Sequence, residues 1–161
     1  MITLTSTDHI NASPEQVWNF FIRLHEDDTY MRWHPVDHIS WTLLNGDSEK
    51  VGSTYHFAEM IGGKKLASKF RLNKVERLKY LEYGVAGVLR PFNPVTATFT
   101  FIPRSKAKID LIAKVQIGYT IPVIGNIVDW IARRCYDMVA VRQHMKEEGQ
   151  YLNQALSSKR N

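Results

Sequence analysis

The stretch MVAVRQHMKEEGQYL, from Met138 to Leu152, decides how the chain is read. Val141, Met145, Leu152 and, just beyond, Ala155 recur at helical spacing and mark a core-facing side. His144 and Glu148 are four residues apart, so they stack one turn above the other. Both lie on that inner face or at its edge. An ionised glutamate in an apolar interior costs several kcal/mol unless something pairs with it, and a metal ion would pair with both residues at once. The helical pattern extends upstream, so one long helix is expected from about Val123 to Leu156, with Gly125 and Gly149 as its weak points.

Upstream of that helix the pattern is β. Candidate strands are His38–Leu44, Ser53–Ile61, Leu66–Val75, Lys79–Val88, Val95–Ile102 and Lys108–Ile117. They are separated by Asn45-Gly46-Asp47, Gly62-Gly63, an Arg90–Pro94 loop and Pro103–Lys106. Such short connections favour antiparallel hairpins. At the other end, residues 2–11 alternate as a first strand. Ser13-Pro14-Glu15-Gln16 then starts a helix, with Ser as N-cap, Pro at the first helical position and Gln three after the cap. A second short helix is expected over Asp28–Trp33, ended by Pro35. The expectation is an α+β fold: a curved antiparallel sheet of about seven strands, two short helices and one long C-terminal helix, in one domain over residues 1–161. A helix gripped by such a sheet encloses a cavity, a natural site for a hydrophobic small molecule.

Composition narrows the function classes. With 44% hydrophobic and 23% charged residues, the chain is neither disordered nor fibrous. Its 21 basic and 16 acidic residues give a net charge of +5, but the basic ones are scattered in short pairs, so no nucleic-acid footprint is expected. The one cysteine, Cys135, excludes an intrachain disulfide and reads as a buried inert thiol. The N-terminus lacks the pattern of a signal peptide, and the longest apolar stretch, Ile117–Ala132, is interrupted by Gly118, Pro122, Gly125 and Asp129. A cytoplasmic protein without integral membrane association is expected.

The element order, the SPEQVW start of the first helix and the closing helix resemble the START-like, or SRPBCC, helix-grip superfamily across essentially the whole chain. That resemblance implies the fold but not one function, because the fold hosts lipid carriers, hormone receptors, cyclases and hydrolases.

Four residues outline a metal site. Centring the first hairpin on residues 48 and 49 puts His38 opposite Glu59, with both side chains able to share a face. Tyr55 and Phe57 alternate onto Glu59's side, which makes that side inward. Two imidazoles and two carboxylates (His38, Glu59, His144 and Glu148) suit Zn²⁺ best, with other divalent transition metals acceptable. His34, forced into an extended conformation by Pro35, sits in a loop at the cavity mouth and competes with His38 as ligand. His38 has the better cross-strand geometry, leaving His34 a substrate-facing role, and Asp37 is placed to orient a neighbouring imidazole. Tyr55, Tyr83 and Tyr119 are candidate hydrogen-bond donors to a phenolic or carbonyl ligand. His34 and a cavity tyrosine such as Tyr55 are the candidate general acids.

The WHPVDH segment (residues 33–38), the acidic residue on the next strand and HMKEEGQYL (residues 144–152) resemble the zinc-dependent diacetylphloroglucinol and phloretin hydrolase group. The resemblance implies zinc held by His38 (or His34), Glu59, His144 and Glu148, and hydrolysis of a carbon–carbon bond between an acyl group and a phenolic ring. Two other readings stand beside it: a carrier or sensor of a hydrophobic molecule, and a cyclase or dehydratase that uses the same polar groups without metal.

Overall fold

A computed structural model of the chain describes residues 1–26, 28–87, 95–118, 130 and 137–157. Strand β1 (Ile2–Ile10) leads into α1 (Pro14–Ile22) and α2 (Thr29–Trp33). Six strands follow: β2 (His38–Asn45), β3 (Thr54–Ile61), β4 (Lys64–Glu76), β5 (Tyr80–Val85), β6 (Val95–Ser105) and β7 (Lys108–Ile117), and α3 (Met138–Ser157) closes the chain. The strands form one antiparallel sheet in the order β1-β7-β6-β5-β4-β3-β2. This is the α+β helix-grip architecture expected, with every expected strand present. The upstream part of the expected long helix, Cys135, Tyr119 and the Arg90–Pro94 loop lie outside the described residues.

Local chemistry explains the helix ends. Ser13 accepts a hydrogen bond from the Gln16 backbone at 3.2 Å, and the Gln16 side chain accepts one from the Ser13 backbone at 2.8 Å. This reciprocal box satisfies two otherwise orphaned N–H groups. Val17, Trp18, Phe20 and Phe21 then face the core. Phe21 packs edge-on against Trp33 and Phe101, which joins α1 to α2 and to the sheet. On α3, Val141, His144, Met145, Gly149, Leu152 and Leu156 are buried, so Leu156 rather than Ala155 is the last core position. α3 presses so closely on β1 that a Cβ at Gly149 would stand 2.1 Å from the Asp8 carboxyl group. Among the described residues, no helix is long and apolar enough to cross a membrane.

The sheet positions the site through one irregularity. His38 pairs with Glu59, as the hairpin arithmetic predicts, but the register shifts by one between His38 and Ser40. Strict alternation would send His38 and Trp41 to opposite faces. The bulge turns both inward, so the edge strand presents an imidazole and an indole to the same interior.

Candidate metal centre and ligand cavity

A cavity of 180 Å³ lies between the sheet and α3. Its walls are largely aromatic, with Tyr30, Trp33, Trp41, Phe57, Phe70 and Phe99 prominent, and Glu59, His144 and Glu148 supply charge at one place in them.

Three elements build that place. The segment from α2 to β2 brings His34, Asp37 and His38; β3 brings Glu59; α3 brings His144, Glu147 and Glu148. All three histidines are buried, and the Nε2 atom of each lacks a hydrogen-bond partner. One buried unsatisfied polar atom costs about 1–3 kcal/mol, so each of them calls for a partner.

The partners on the opposite ring nitrogens show what each Nε2 offers. His38 Nδ1 lies 2.9 Å from the Tyr30 carbonyl oxygen, so Nδ1 is the donor and the Nε2 lone pair is free. That lone pair faces Glu148 Oε1 at 3.4 Å and Glu59 Oε2 at 3.8 Å. His144 Nδ1 is likewise held by Asp37 Oδ2 at 3.0 Å, while Nε2 faces Glu59 Oε2 at 3.6 Å and Glu148 Oε1 at 3.7 Å. His34 is wired the other way. Its Nδ1 accepts the Asp37 backbone N–H at 3.1 Å, which leaves the proton on Nε2. That nitrogen lies 3.3 Å from Glu147 and 3.8 Å from Asp37.

His38, Glu59 and His144 therefore offer ligand atoms all within 4.8 Å of one another, with Glu148 beside both imidazoles. The structure brings together the four residues the sequence singled out, and it separates His34 from them. His34 instead stacks on His144, with ring centroids 4.6 Å apart. A second grouping of His34, Asp37 and His144 also clusters donor atoms, but the His34 lone pair is occupied by a backbone N–H and the Asp37 carboxylate already holds the His144 ring.

Electrostatics follow the same layout. Burial opposes an imidazolium at His144, yet Glu59, Glu148 and Asp37 outweigh it and raise its pKa to about 9, so an ion taken up at Nε2 would displace a proton held there between the two carboxylates. Burial likewise opposes the Glu59 carboxylate, but His144, His38 and Tyr30 hold it below the ordinary glutamate value. For His34, burial and then its histidine neighbours push the pKa down, which keeps the ring neutral.

Tyr55 does not reach this cluster. It faces inward as alternation predicts, but it stands four residues from Glu59 along β3, roughly 13 Å of strand. Its hydroxyl donates to the Asp47 carbonyl oxygen at 3.5 Å. The tyrosine that does reach is Tyr30 of α2, which sequence reasoning missed. Its hydroxyl donates to Glu59 Oε2 at 3.0 Å, and its ring lies flat on His38 at 3.9 Å. Burial, then the nearby Glu59 and Glu148, push its pKa well up, so it keeps its proton. A five-residue helix carries no periodic signal from which that position could have been found. Asp37, flagged as an orienting carboxylate, holds His144 from 107 residues away.

A family model described as "Polyketide cyclase / dehydrase and lipid transport" matches residues 1–145. No curated protein matches the chain by sequence. Among solved structures, major latex-like protein 151 from Panax ginseng superposes with a TM-score of 0.68 at 10% identity, over 98% of this chain and 96% of that one. Norcoclaurine synthase from Thalictrum flavum, in complex with dopamine and hydroxybenzaldehyde, gives 0.63 at 11% identity over 98% and 84%. The di-domain ARO/CYC BexL from the BE-7585A biosynthetic pathway gives 0.66 at 13% identity, over 98% of this chain and 47% of that one. At such identities the likeness establishes the fold.

Proposed function

The chain belongs to the polyketide cyclase/dehydrase and lipid transport family, and from that premise we propose that it binds a hydrophobic aromatic or cyclic ketone in its cavity. There it enolises or dehydrates the ketone at the His38–Glu59–His144–Glu148 cluster, as a cyclase or dehydratase does, with a divalent metal ion held by those four residues. The observation that carries the reading is the convergence of two buried, unpartnered Nε2 atoms on two carboxylates at the wall of an aromatic cavity.

The donor set fits an ion. A tetrahedral metal with ligands at about 2.1 Å has its donors about 3.4 Å apart. The nitrogen–oxygen separations run from 3.4 to 3.8 Å, too long for good hydrogen bonds and close to that edge length. Two imidazoles and two carboxylates favour Zn²⁺. When bound, the ion would supply a Lewis acid that polarises a ligand carbonyl taken up as a fifth ligand, and a Glu59 carboxylate oxygen would take the proton released from the carbon beside that carbonyl and return it.

The chain's own residues supply the rest. Asp37 and the Tyr30 carbonyl fix the tautomers of His144 and His38. The Tyr30 hydroxyl, which keeps its proton, is the hydrogen-bond donor nearest to an oxygen brought up to Glu59. Trp33, Trp41 and Phe57 hold a ring and exclude water, which strengthens every charge interaction inside. A second reading, hydrolysis of a carbon–carbon bond between an acyl group and a phenolic ring, is supported by the same four residues in the motifs that resemble the zinc hydrolase group.

Two measurements test the proposal. Elemental analysis after zinc loading is expected to find one ion per chain, lost in His144→Ala and in Glu148→Ala. A chain that takes up no stoichiometric ion removes the metal. Proton exchange next to the carbonyl of a bound aromatic ketone, followed by NMR in D₂O, is expected to be catalysed by the wild type and abolished by Glu59→Gln. Binding without exchange in the wild type leaves a carrier.

A further inference from the structure

The proposed function leaves a buried tyrosine of the cavity wall unused. Tyr83 lies on β5 and is 2% exposed. Its ring packs against Trp41 at 5.4 Å and Tyr55 at 5.7 Å. Tyr55 spends its hydroxyl on Asp47 and Tyr30 spends its own on Glu59, whereas the Tyr83 hydroxyl makes no hydrogen bond to any described residue and the side chain lines the cavity. A tyrosine hydroxyl set in an apolar wall, with its ring buried and its oxygen on the cavity, is a donor for whatever polar atom enters. Burial pushes its pKa up, so the group is an O–H donor.

Its position relative to the cluster is set by register. Glu59 pairs with Leu66 on β4, and Tyr83 pairs with Leu72 of the same strand. The two rows lie six residues apart along β4, and the inward-facing rings close that gap. Between them runs a chain of rings: Tyr83 on Trp41, and Trp41 on Tyr30 at 5.5 Å. The cavity is thus largely aromatic and aliphatic, with the charged cluster at one place in its wall and the Tyr83 hydroxyl at another; of the other polar side chains in the lining, Thr98 donates to the Lys114 carbonyl oxygen.

We infer that Tyr83 is a second polar anchor, which donates a hydrogen bond to an oxygen at the far end of the ligand. The ligand class is then a rigid ring system with oxygen at both ends, a hydroxylated aromatic ketone for example, rather than a plain hydrocarbon or acyl chain. This rests on the proposed cavity binding and adds a specificity residue to it.

The test uses two probes of one shape, 2-acetylnaphthalene and 6-hydroxy-2-acetylnaphthalene, titrated against tryptophan fluorescence. The wild type is expected to bind the doubly oxygenated probe about fivefold tighter, the effect of one net hydrogen bond. Tyr83→Phe, which keeps the ring, is expected to abolish that preference and leave the affinity for 2-acetylnaphthalene unchanged. The unchanged affinity also reports that the variant is folded. Equal binding of both probes by the wild type, or a preference that survives in Tyr83→Phe, overturns the anchor while cavity binding stands. Failure of the wild type to bind either probe overturns cavity binding, and the anchor with it.

Discussion

The Asp37 carboxylate lies 3.0 Å from His144 Nδ1, while the other nitrogen of that ring faces Glu59 and Glu148. The carboxylate fixes which nitrogen is free and adds electron density to the ring. Loss of such a partner commonly weakens metal affinity about 10- to 100-fold. Asp37→Ala is expected to lose zinc affinity by that factor in a chelator competition, with Asn at the same position retaining part of it. Unchanged affinity in the alanine variant would show that Asp37 does not position the ring.

His34 and His38 are both buried and four residues apart, yet they are expected to behave differently. His38→Ala should take up no stoichiometric zinc. His34→Ala should keep one ion per chain, because its lone pair is occupied by the Asp37 backbone, and should lose about 2 kcal/mol of stability through the space left behind. Metal content and thermal unfolding of the two variants separate the roles. The reverse pattern would make His34 the ligand.

Away from the site, Asp110 on β7 is gripped by Arg104, whose Nε lies 2.6 Å from it, and by His9 at 2.7 Å. These hydrogen bonds hold its carboxyl below the ordinary aspartate value of 3.8. A depressed folded-state pKa contributes stability that is present above the unfolded value and lost as pH falls through the folded one. Asp110→Asn is therefore expected to be less stable than wild type at neutral pH, with the gap closing below about pH 4. Denaturant midpoints measured across that range check the sign, and a gap that widens in acid would contradict it.

Gly149 breaks the usual rule for helices. Alanine in a helix interior normally gains about 1 kcal/mol over glycine. Here the added methyl would meet the Asp8 carboxyl carbon at 2.1 Å and its Cβ at 2.7 Å. Gly149→Ala is expected to destabilise by about 2 kcal/mol, and to cost less in an Asp8→Ala background. A stabilised single variant would mean that α3 and β1 part easily.

Ser13→Ala removes one half of the capping box and should cost about 1 kcal/mol, or roughly 2–4 °C in thermal midpoint for a chain of this size. A midpoint shift under half a degree would mean that solvent replaces the cap.

Much of this protein was legible from residues alone, because the signals are local. Ser13 and Gln16 are three residues apart and announce the start of α1. Alternation across Tyr55, Phe57 and Glu59 identifies the inner face of β3, and the spacing of His144 and Glu148 puts both on one helical stripe. Hairpin arithmetic even paired His38 with Glu59. The misses are of another kind. Tyr55 was placed on the correct face, but face says nothing about distance along the strand. Tyr30 sits on a helix too short to show a period.

The sequence by itself determined the order of the elements, their buried sides and the residue types available for chemistry, since all of these follow from repeats of two or 3.6 residues. Only the tertiary structure decided which histidine turns its Nε2 toward Glu59 and Glu148. That choice turns on which backbone or side-chain group meets each Nδ1: Tyr30 carbonyl for His38, Asp37 carboxylate for His144, Asp37 N–H for His34. It also turns on a one-residue bulge that turns His38 and Trp41 inward together, Trp41 to the cavity wall and His38 to the carboxylates beside it. Such contacts join groups that sequence spacing does not relate, and they exist only once the helix has closed over the sheet.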